Sequence, residues 1–385
     1  MPEHAKPRVL IVTPAAAKAN NGNWQTAWRW AGFLKHDFDV TIDQQWRAEP
    51  HDVLLALHAR RSASDIAAWA QAKGAKKNAP GMAVVLTGTD LYRDIVDNAA
   101  AQQSLDLARR LVVLQERGPV QLPLRHRAKT TVIFQSTHSR QAIEKTDRHL
   151  RVVMVGHLRD EKLPQTLFET ARRLRPDSGI LIDHIGDPLD ADLATQARET
   201  AADCPHYRWL GGLDHETTRR RIQRAHLLVH ASKMEGGAHV VMEAVCSGTP
   251  VLASRIDGNV GMLGQAYSGY FEVGSAPQLA ALLTQIRSQQ HGPQGGKRKL
   301  LETLASQCEK RAALFAPETE QAAVIRLVNY LLRPVQAHHL ITVQAGTCEH
   351  AQAGQVNVHI VVAVMPRHRP WQHAGIGRVH VGADE

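Results

Sequence analysis

The chain has 385 residues, 43% hydrophobic and 22% charged, ordinary values for a globular protein with room for two full hydrophobic cores. No apolar run approaches the ~20 residues that span a bilayer, so no stable membrane insertion is expected. Four scattered cysteines (Cys204, Cys246, Cys308, Cys348) give neither a disulfide framework nor a metal-ligand spacing, which points to a cytoplasmic protein. The net charge of +9 favours acidic partners, but aromatics are only 5% and no basic cluster is interleaved with stacking rings, which argues against nucleic acid and for phosphorylated small molecules.

Short β-branched runs alternate with helical stretches, the pattern of βαβ units and parallel sheets. In the first half the predicted order is strand 8–13, helix 24–35, strand 39–42, strand 53–57, helix 62–74 and strand 83–86. A helix over 105–110 then leads into a strand over 111–114, and a strand over 131–133 carries the chain to a boundary near residue 150. The opening run Val9–Val12 is too short for a signal-peptide core and reads as a buried first strand. A second series begins at Arg151: strand 152–155, helix 163–174, strand 180–185, helix 188–200, strand 207–210, helix 215–224 and strand 227–230. Strands over 251–253 and 270–273, a helix over 277–287, a flexible turn over 289–297 and an amphipathic helix over 318–333 complete it. The predicted fold class is α/β, with two Rossmann-like doubly wound domains facing a cleft and ligands at the carboxyl ends of the strands. Residues 335–385 differ in composition and are rich in His (His338, His339, His350, His359, His368, His373, His380). No tight His-x3-His pair supports a metal site there, and an appended, weakly ordered extension is the expected reading.

The most informative segment runs Ser232-Lys-Met-Glu235-Gly236-Gly237-Ala238-His-Val-Val-Met-Glu243-Ala-Val-Cys-Ser-Gly248-Thr-Pro250. A loop of small residues opening onto a helix offers unpaired backbone N–H groups at a positive dipole end, an arrangement suited to a diphosphate. Glu235 and Glu243, eight positions apart, can then accept hydroxyls on either side of that anion. Hydroxyls plus a diphosphate describe a nucleotide sugar. A solvated amphipathic helix would explain a bare pair of glutamates, but not Ser232, Gly236, Gly248 and Pro250 as well.

Other candidate positions follow predicted strands. Gly22 permits left-handed backbone or close ligand approach, and Asn23 is placed to cap the first helix. Thr87, Thr89 and Asp90 follow the strand over 83–86, where they can orient hydroxyls; helix capping is the competing role for Asp90. Lys18, Arg93 and the basic segment 125–129 suit a small, doubly charged acceptor. Asp37-Phe-Asp39 and Asp190-Ala-Asp192 spell a metal-binding pattern, but neither falls at the predicted donor site, so no essential metal or cofactor is assigned.

The pattern Ser-x-x-Glu-x7-Glu-Ala-x-x-x-Gly-x-Pro-Val resembles the donor-binding signature of retaining glycosyltransferases with two Rossmann-like domains, the GT-B type. That resemblance implies a diphosphate over the amides of Gly236, Gly237 and Ala238, with Glu235 on the transferred sugar and Glu243 on the nucleotide ribose. Gly156-His-Leu-Arg159-Asp-Glu-Lys162 matches the same family's Gly-x-Leu-x-x-x-Lys, which assigns the phosphate contact to Lys162 first and Arg159 second, with Gly156 allowing close backbone approach. It also implies an acceptor-facing loop around Lys18, Gly22 and Asn23. The implied division is an acceptor domain over 1–150, a UDP-sugar domain over 151–315 and a helix over 316–334 crossing back to the first domain. Glu235, Lys162 and Asp90 are the candidate catalytic residues.

Wording at 86–94, 207–211, 234–241, 252–264 and 267–271 is similar to the selenosugar synthases of selenoneine biosynthesis, over about residues 8–333. Members of that family join selenophosphate to the anomeric carbon of a UDP-sugar, chiefly UDP-N-acetylglucosamine; other enzymes of that pathway become possible partners. Two departures from the wider donor-site pattern stand out: Glu235-Gly-Gly replaces Glu-x-Phe-Gly, and Asp257-Gly-Asn-Val-Gly replaces Gly-Gly-x-x-Glu, leaving Arg255 and Asn259 where an acid is common. An ordinary hexosyltransferase to a hydroxyl acceptor, a UDP-sugar epimerase and a non-enzymatic binding protein stay open as alternatives.

Overall fold

The computed structural model describes residues 5–14, 22–290 and 299–334; Lys18, most of the 289–297 turn and the His-rich segment 335–385 lie outside the described residues. Two parallel sheets of six strands organise the chain. The first comprises β1 (Arg8–Val12), β2 (Asp39–Asp43), β3 (Val53–Leu57), β4 (Ala79–Leu86), β5 (Ala108–Val113) and β6 (Thr130–Val132), in the order β2-β1-β3-β4-β5-β6. The second comprises β7 (Leu150–Val155), β8 (Ile180–Ile185), β9 (Tyr207–Trp209), β10 (Leu227–His230), β11 (Val251–Ser254) and β12 (Tyr270–Phe271), in the order β12-β11-β10-β7-β8-β9. All five residues of β3 and all four of β10 are buried, as expected of central strands covered by helices on both faces.

Strand order reverses between β1 and β3 in the first sheet and between β7 and β10 in the second. Diverging connections open a crevice at such a switch point, and doubly wound sheets bind ligands there. In the second lobe the segments leaving the switch point are the ones that begin at Gly156 and at Ala231.

The first sheet is packed on both sides. Leu10, Leu54, Trp69, Val84 and Leu111 share one core. Val9, Ile11, Trp30, Leu55 and Val85 form the other, which the helix Pro317–Leu332 completes with Val324, Leu327, Val328 and Leu331. Glu320 pins that helix from inside. Its carboxylate accepts from Arg29 Nε (2.7 Å), Arg29 Nη2 (3.0 Å), Trp30 Nε1 (2.7 Å) and Ser136 Oγ (2.6 Å).

Boundaries differ from the sequence reading where tertiary pairing overrides local pattern. The strand expected over 83–86 starts at Ala79, with a register shift between Ala79 and Ala83 and Gly81 at φ +73. The helix expected over 105–110 is Ala99–Leu107, because Ala108 already pairs with Ala79. Arg110 and Arg109 then lie 4.1 and 4.8 Å from the Tyr330 ring of the last helix, so two charged residues sit comfortably in a strand. No helix was expected over Leu300–Ala312, which buries only Leu304 and Cys308.

Candidate active site

Gly156 leaves β7 at the switch point, and a Cβ there would stand 3.3 Å from the Lys162 methylenes. Glycine therefore lets the lysine stem lie flat over the strand end. Lys162 closes a single 3-10 turn, Asp160–Lys162, and Leu163 at φ +46 starts the following helix. The Lys162 ammonium donates to Glu235 Oε1, joining the two switch-point loops, and the side chains are 14% and 12% exposed. A second tie links Lys233 to Asp160. Arg159 is half exposed, 3.9 Å from Glu161.

His230 ends β10 with its Nε2 3.4 Å from the same Glu235 oxygen. Burial alone would raise the Glu235 carboxyl, but Lys162 and His230 outweigh it and hold it well below the usual carboxylate range. The imidazole is oriented from behind. Asn259 donates through Nδ2 to the Ser254 carbonyl (2.8 Å), so its Oδ1 must accept from His230 Nδ1 (2.9 Å). Asn259 is fully buried in this role. The result is a carboxylate kept charged and aimed by a lysine and a histidine, a group fit to accept a hydroxyl or stabilise positive charge.

Gly236 and Gly237 form the seam with the first lobe. A Cβ on Gly236 would overlap the Thr87 carbonyl oxygen and approach Gly88 Cα at 2.7 Å; one on Gly237 would meet Leu114 Cβ at 2.9 Å. Among the described residues neither glycine N–H donates a hydrogen bond, whereas the Ala238 N–H meets Met262 Sδ at 3.1 Å. The pair thus presents two amides where the lobes meet. Ala238 precedes the short helix His239–Val245, and Glu243 lies inside it, 4% exposed. Glu243 Oε1 is 2.6 Å from Nε2 of His215, an exposed residue opening the helix His215–Arg224. That hydrogen bond raises the His215 pKa above its ordinary 6.5. His239 sits between these groups. Burial, reinforced by Arg29, His215 and Lys162, lowers its pKa to about 3, so its ring is neutral.

On the first lobe the structure corrects two expectations. Asp90 has no exposed surface, and its carboxylate accepts from the backbone N–H of Thr87, Gly88 and Ala59, each at 2.9 Å. It braces the Thr87–Gly88 turn against the glycine pair rather than reaching a ligand. Gly22 is the first residue of the helix Gly22–Leu34 and does not adopt a positive φ, so Asn23 lies within the first turn rather than at the cap. Thr87 and Thr89 are half-buried and Arg93 is exposed, with Nε 3.3 Å from Asp94. The structure therefore brings Gly156, Lys162, Glu235, Gly236 and Gly237 together with Thr87, while Arg93 stands further along the single π-helical turn Asp90–Asp94.

Sequence reasoning missed His58, Tyr92 and His230, and it marked Asn259 only as a replacement for an acid, not as the residue that orients His230. His58, at φ +77, directly follows β3 at the first-lobe switch point, with Nε2 3.2 Å from Thr89 Oγ1. A non-glycine residue in that region stores strain, a feature that clusters at functional sites. Tyr92 accepts from Gln115 Nε2 (2.8 Å), and burial, with Asp257 and Glu235 nearby, pushes its hydroxyl pKa up. His230 carried one signal, its place on the last residue of a strand before the loop. Among the described residues no three His, Cys, Asp or Glu side chains are grouped to hold a metal, and Asp190 of the second Asp-x-Asp pattern caps its own helix. No described helix is long and apolar enough to cross a membrane.

Residues 135–315 match the family model described as glycosyl transferases group 1. The fold is GT-B. Sucrose-phosphate synthase from Thermosynechococcus elongatus superposes with a TM-score of 0.65 at 16% identity, covering 85% of this chain and 99% of that one. Anabaena HepE in complex with UDP-glucose gives 0.63 at 13% identity over 84% of this chain and 99% of its own. A glycosyltransferase from Rickettsia africae gives 0.62 at 13% identity over 86% and 100%. No curated protein sequence matches the chain significantly.

Proposed function

We propose that the chain is a glycosyltransferase that transfers the sugar of a UDP-sugar, UDP-N-acetylglucosamine foremost, to selenophosphate, forming a carbon–selenium bond and releasing UDP. The observation that carries the donor half is the Lys162–Glu235 pair at the switch point, beside two glycine amides that donate to nothing among the described residues. The group 1 match over 135–315 and the GT-B neighbours, among them a HepE structure holding UDP-glucose, support a nucleotide-sugar donor.

In this reading the diphosphate lies on the Gly236 and Gly237 amides, and the Lys162 ammonium turns from Glu235 to the phosphates. Glu235, released from its lysine and still held by His230, faces the transferred sugar. Glu243 takes the ribose hydroxyls. The selenium lone pair attacks the anomeric carbon as the carbon–oxygen bond to the β-phosphate breaks, and that electron pair leaves on UDP. Charge develops on the leaving oxygen, so a preorganised ammonium and amides act where they are worth most. A selenium anion is already a strong nucleophile and needs no general base. Attack of water on phosphorus then cleaves the selenium–phosphorus bond, giving the selenol and phosphate.

Selenophosphate rests on the likeness at 86–94, 234–241 and 252–264 to selenosugar synthases, and on exposed guanidinium groups at the first-lobe strand ends: Arg60 and Arg93, both against Asp94. Incubation with UDP-N-acetylglucosamine and selenophosphate, followed by mass spectrometry, should give UDP and a selenium-containing sugar. UDP release only with sugar alcohols would assign an ordinary hexosyltransferase instead.

A further inference from the structure

Gln135 lies just past β6, in the segment that joins the lobes, and is 5% exposed. Its amide nitrogen donates to Thr26 Oγ1. Thr26 in turn donates its hydroxyl hydrogen to the Gly22 carbonyl at 2.8 Å. A threonine hydroxyl has one hydrogen, so toward Gln135 it can only accept. That fixes the amide orientation: nitrogen toward Thr26, Oε1 away from it. Oε1 is buried and meets no donor among the described residues.

This orphan acceptor stands beside the glycine pair, because a Cβ on Gly237 would lie 3.4 Å from it. Two residues on, His239 Nε2 is a second buried polar atom without a partner. The charged and titratable groups around His239 are Arg29 of the first helix, His215, Glu235 and Lys162. Buried polar atoms are nearly always paired, and an unpaired one at the lobe seam is a place where water or a bound group can supply the partner. The chemistry of that group is restricted. The oxygens of a diphosphate or of ionised selenophosphate carry no hydrogen and cannot satisfy Gln135 Oε1, whereas a hydroxyl donates to it and can also pair with a neutral imidazole.

We propose that Gln135 and His239 form a hydroxyl-reading subsite for the transferred sugar at the lobe seam, with Gln135 Oε1 accepting from one sugar hydroxyl; this rests on the donor reading above. Gln135 is then a specificity residue, and Thr26 a positioning residue that holds its amide in the acceptor orientation.

Equilibrium titration tests it. Gln135→Leu should bind UDP-N-acetylglucosamine about tenfold more weakly than wild type, the loss expected when a buried hydrogen-bonded hydroxyl meets no acceptor, while UDP binding stays within about twofold. A sugar-nucleotide affinity within about twofold of wild type, or an equal loss for UDP, would overturn the subsite. A variant that does not fold leaves the ligand-side version: wild type titrated with the 3-, 4- and 6-deoxy analogues should lose about tenfold for one of them. Uniform affinity for all three would also overturn it. If wild type binds neither UDP nor the sugar nucleotide, the donor reading fails, and the subsite with it.

Discussion

The side chain missing from Gly236 matters as much as those present. Its Cα faces the Thr87 carbonyl so closely that a methyl group has nowhere to go without parting the lobes. Gly236→Ala should therefore lower kcat/KM about 100-fold, the effect of misplacing reacting groups by about 1 Å, while each lobe stays folded. Unchanged kinetics with an unchanged melting temperature would show that the seam does not matter. His215 offers a second residue-scale test. Its pKa is raised by Glu243, so the stabilising ion pair is fully present below the ordinary 6.5 and is lost as pH rises through the raised value. The melting temperature of His215→Gln should fall below that of wild type at pH 5.5 and converge with it once the pH has risen through that raised value. The gap should be small because the histidine is largely exposed, and a gap independent of pH would contradict the assignment.

At the scale of elements, Glu320 decides how the last helix is attached. A fully buried carboxylate gathers donors from Arg29, Trp30 and Ser136, tying the helix Pro317–Leu332 to the first helix and to the lobe-joining segment. Glu320→Ala leaves Arg29 and two neutral donors without their acceptor, and should cost about 3–5 kcal/mol in urea unfolding. A loss under about 1 kcal/mol would mean that water replaces the carboxylate freely. Elements of this kind were legible to different degrees. β3 could be read from sequence to the residue, because an uninterrupted aliphatic run has no other stable home; the bounds of β8 were also read correctly, although Asp183 and His184 interrupt its aliphatic run. The helix Asp257–Leu263 was not read, since two glycines and an asparagine are poor helix formers. Tertiary packing holds it, with Asn259 bonded to His230 and Gly261 tight against Gln115. The same limit applied to the site. The glycine-and-carboxylate spacing identified the loop, but whether a carboxylate serves ligand or backbone depends on distant partners. Asp90 is claimed by Ala59, 31 positions away, and His230 is oriented by Asn259, 29 positions away.

For the whole molecule, in the proposed reading, the two switch points and the seam between them make one functional unit. The lobes touch through Gly236 on Thr87, through Arg117 and Gln121 on Asp257, and through Arg311 on Glu116 at 3.0 Å. Polar ties of this sort can part and re-form as substrate enters, while the glycine contact sets how closely the lobes can seat. In the proposed reading the Lys162–Glu235 pair serves as a place-holder: each ion neutralises the other until a diphosphate takes the lysine. Titration of UDP and uridine against wild type and Lys162→Ala tests that claim most directly. The account predicts that Lys162→Ala weakens UDP at least about tenfold, as expected for loss of a charge-assisted hydrogen bond, and leaves uridine unaffected. Equal affinity of the two proteins for UDP, or an equal loss for uridine, would contradict it.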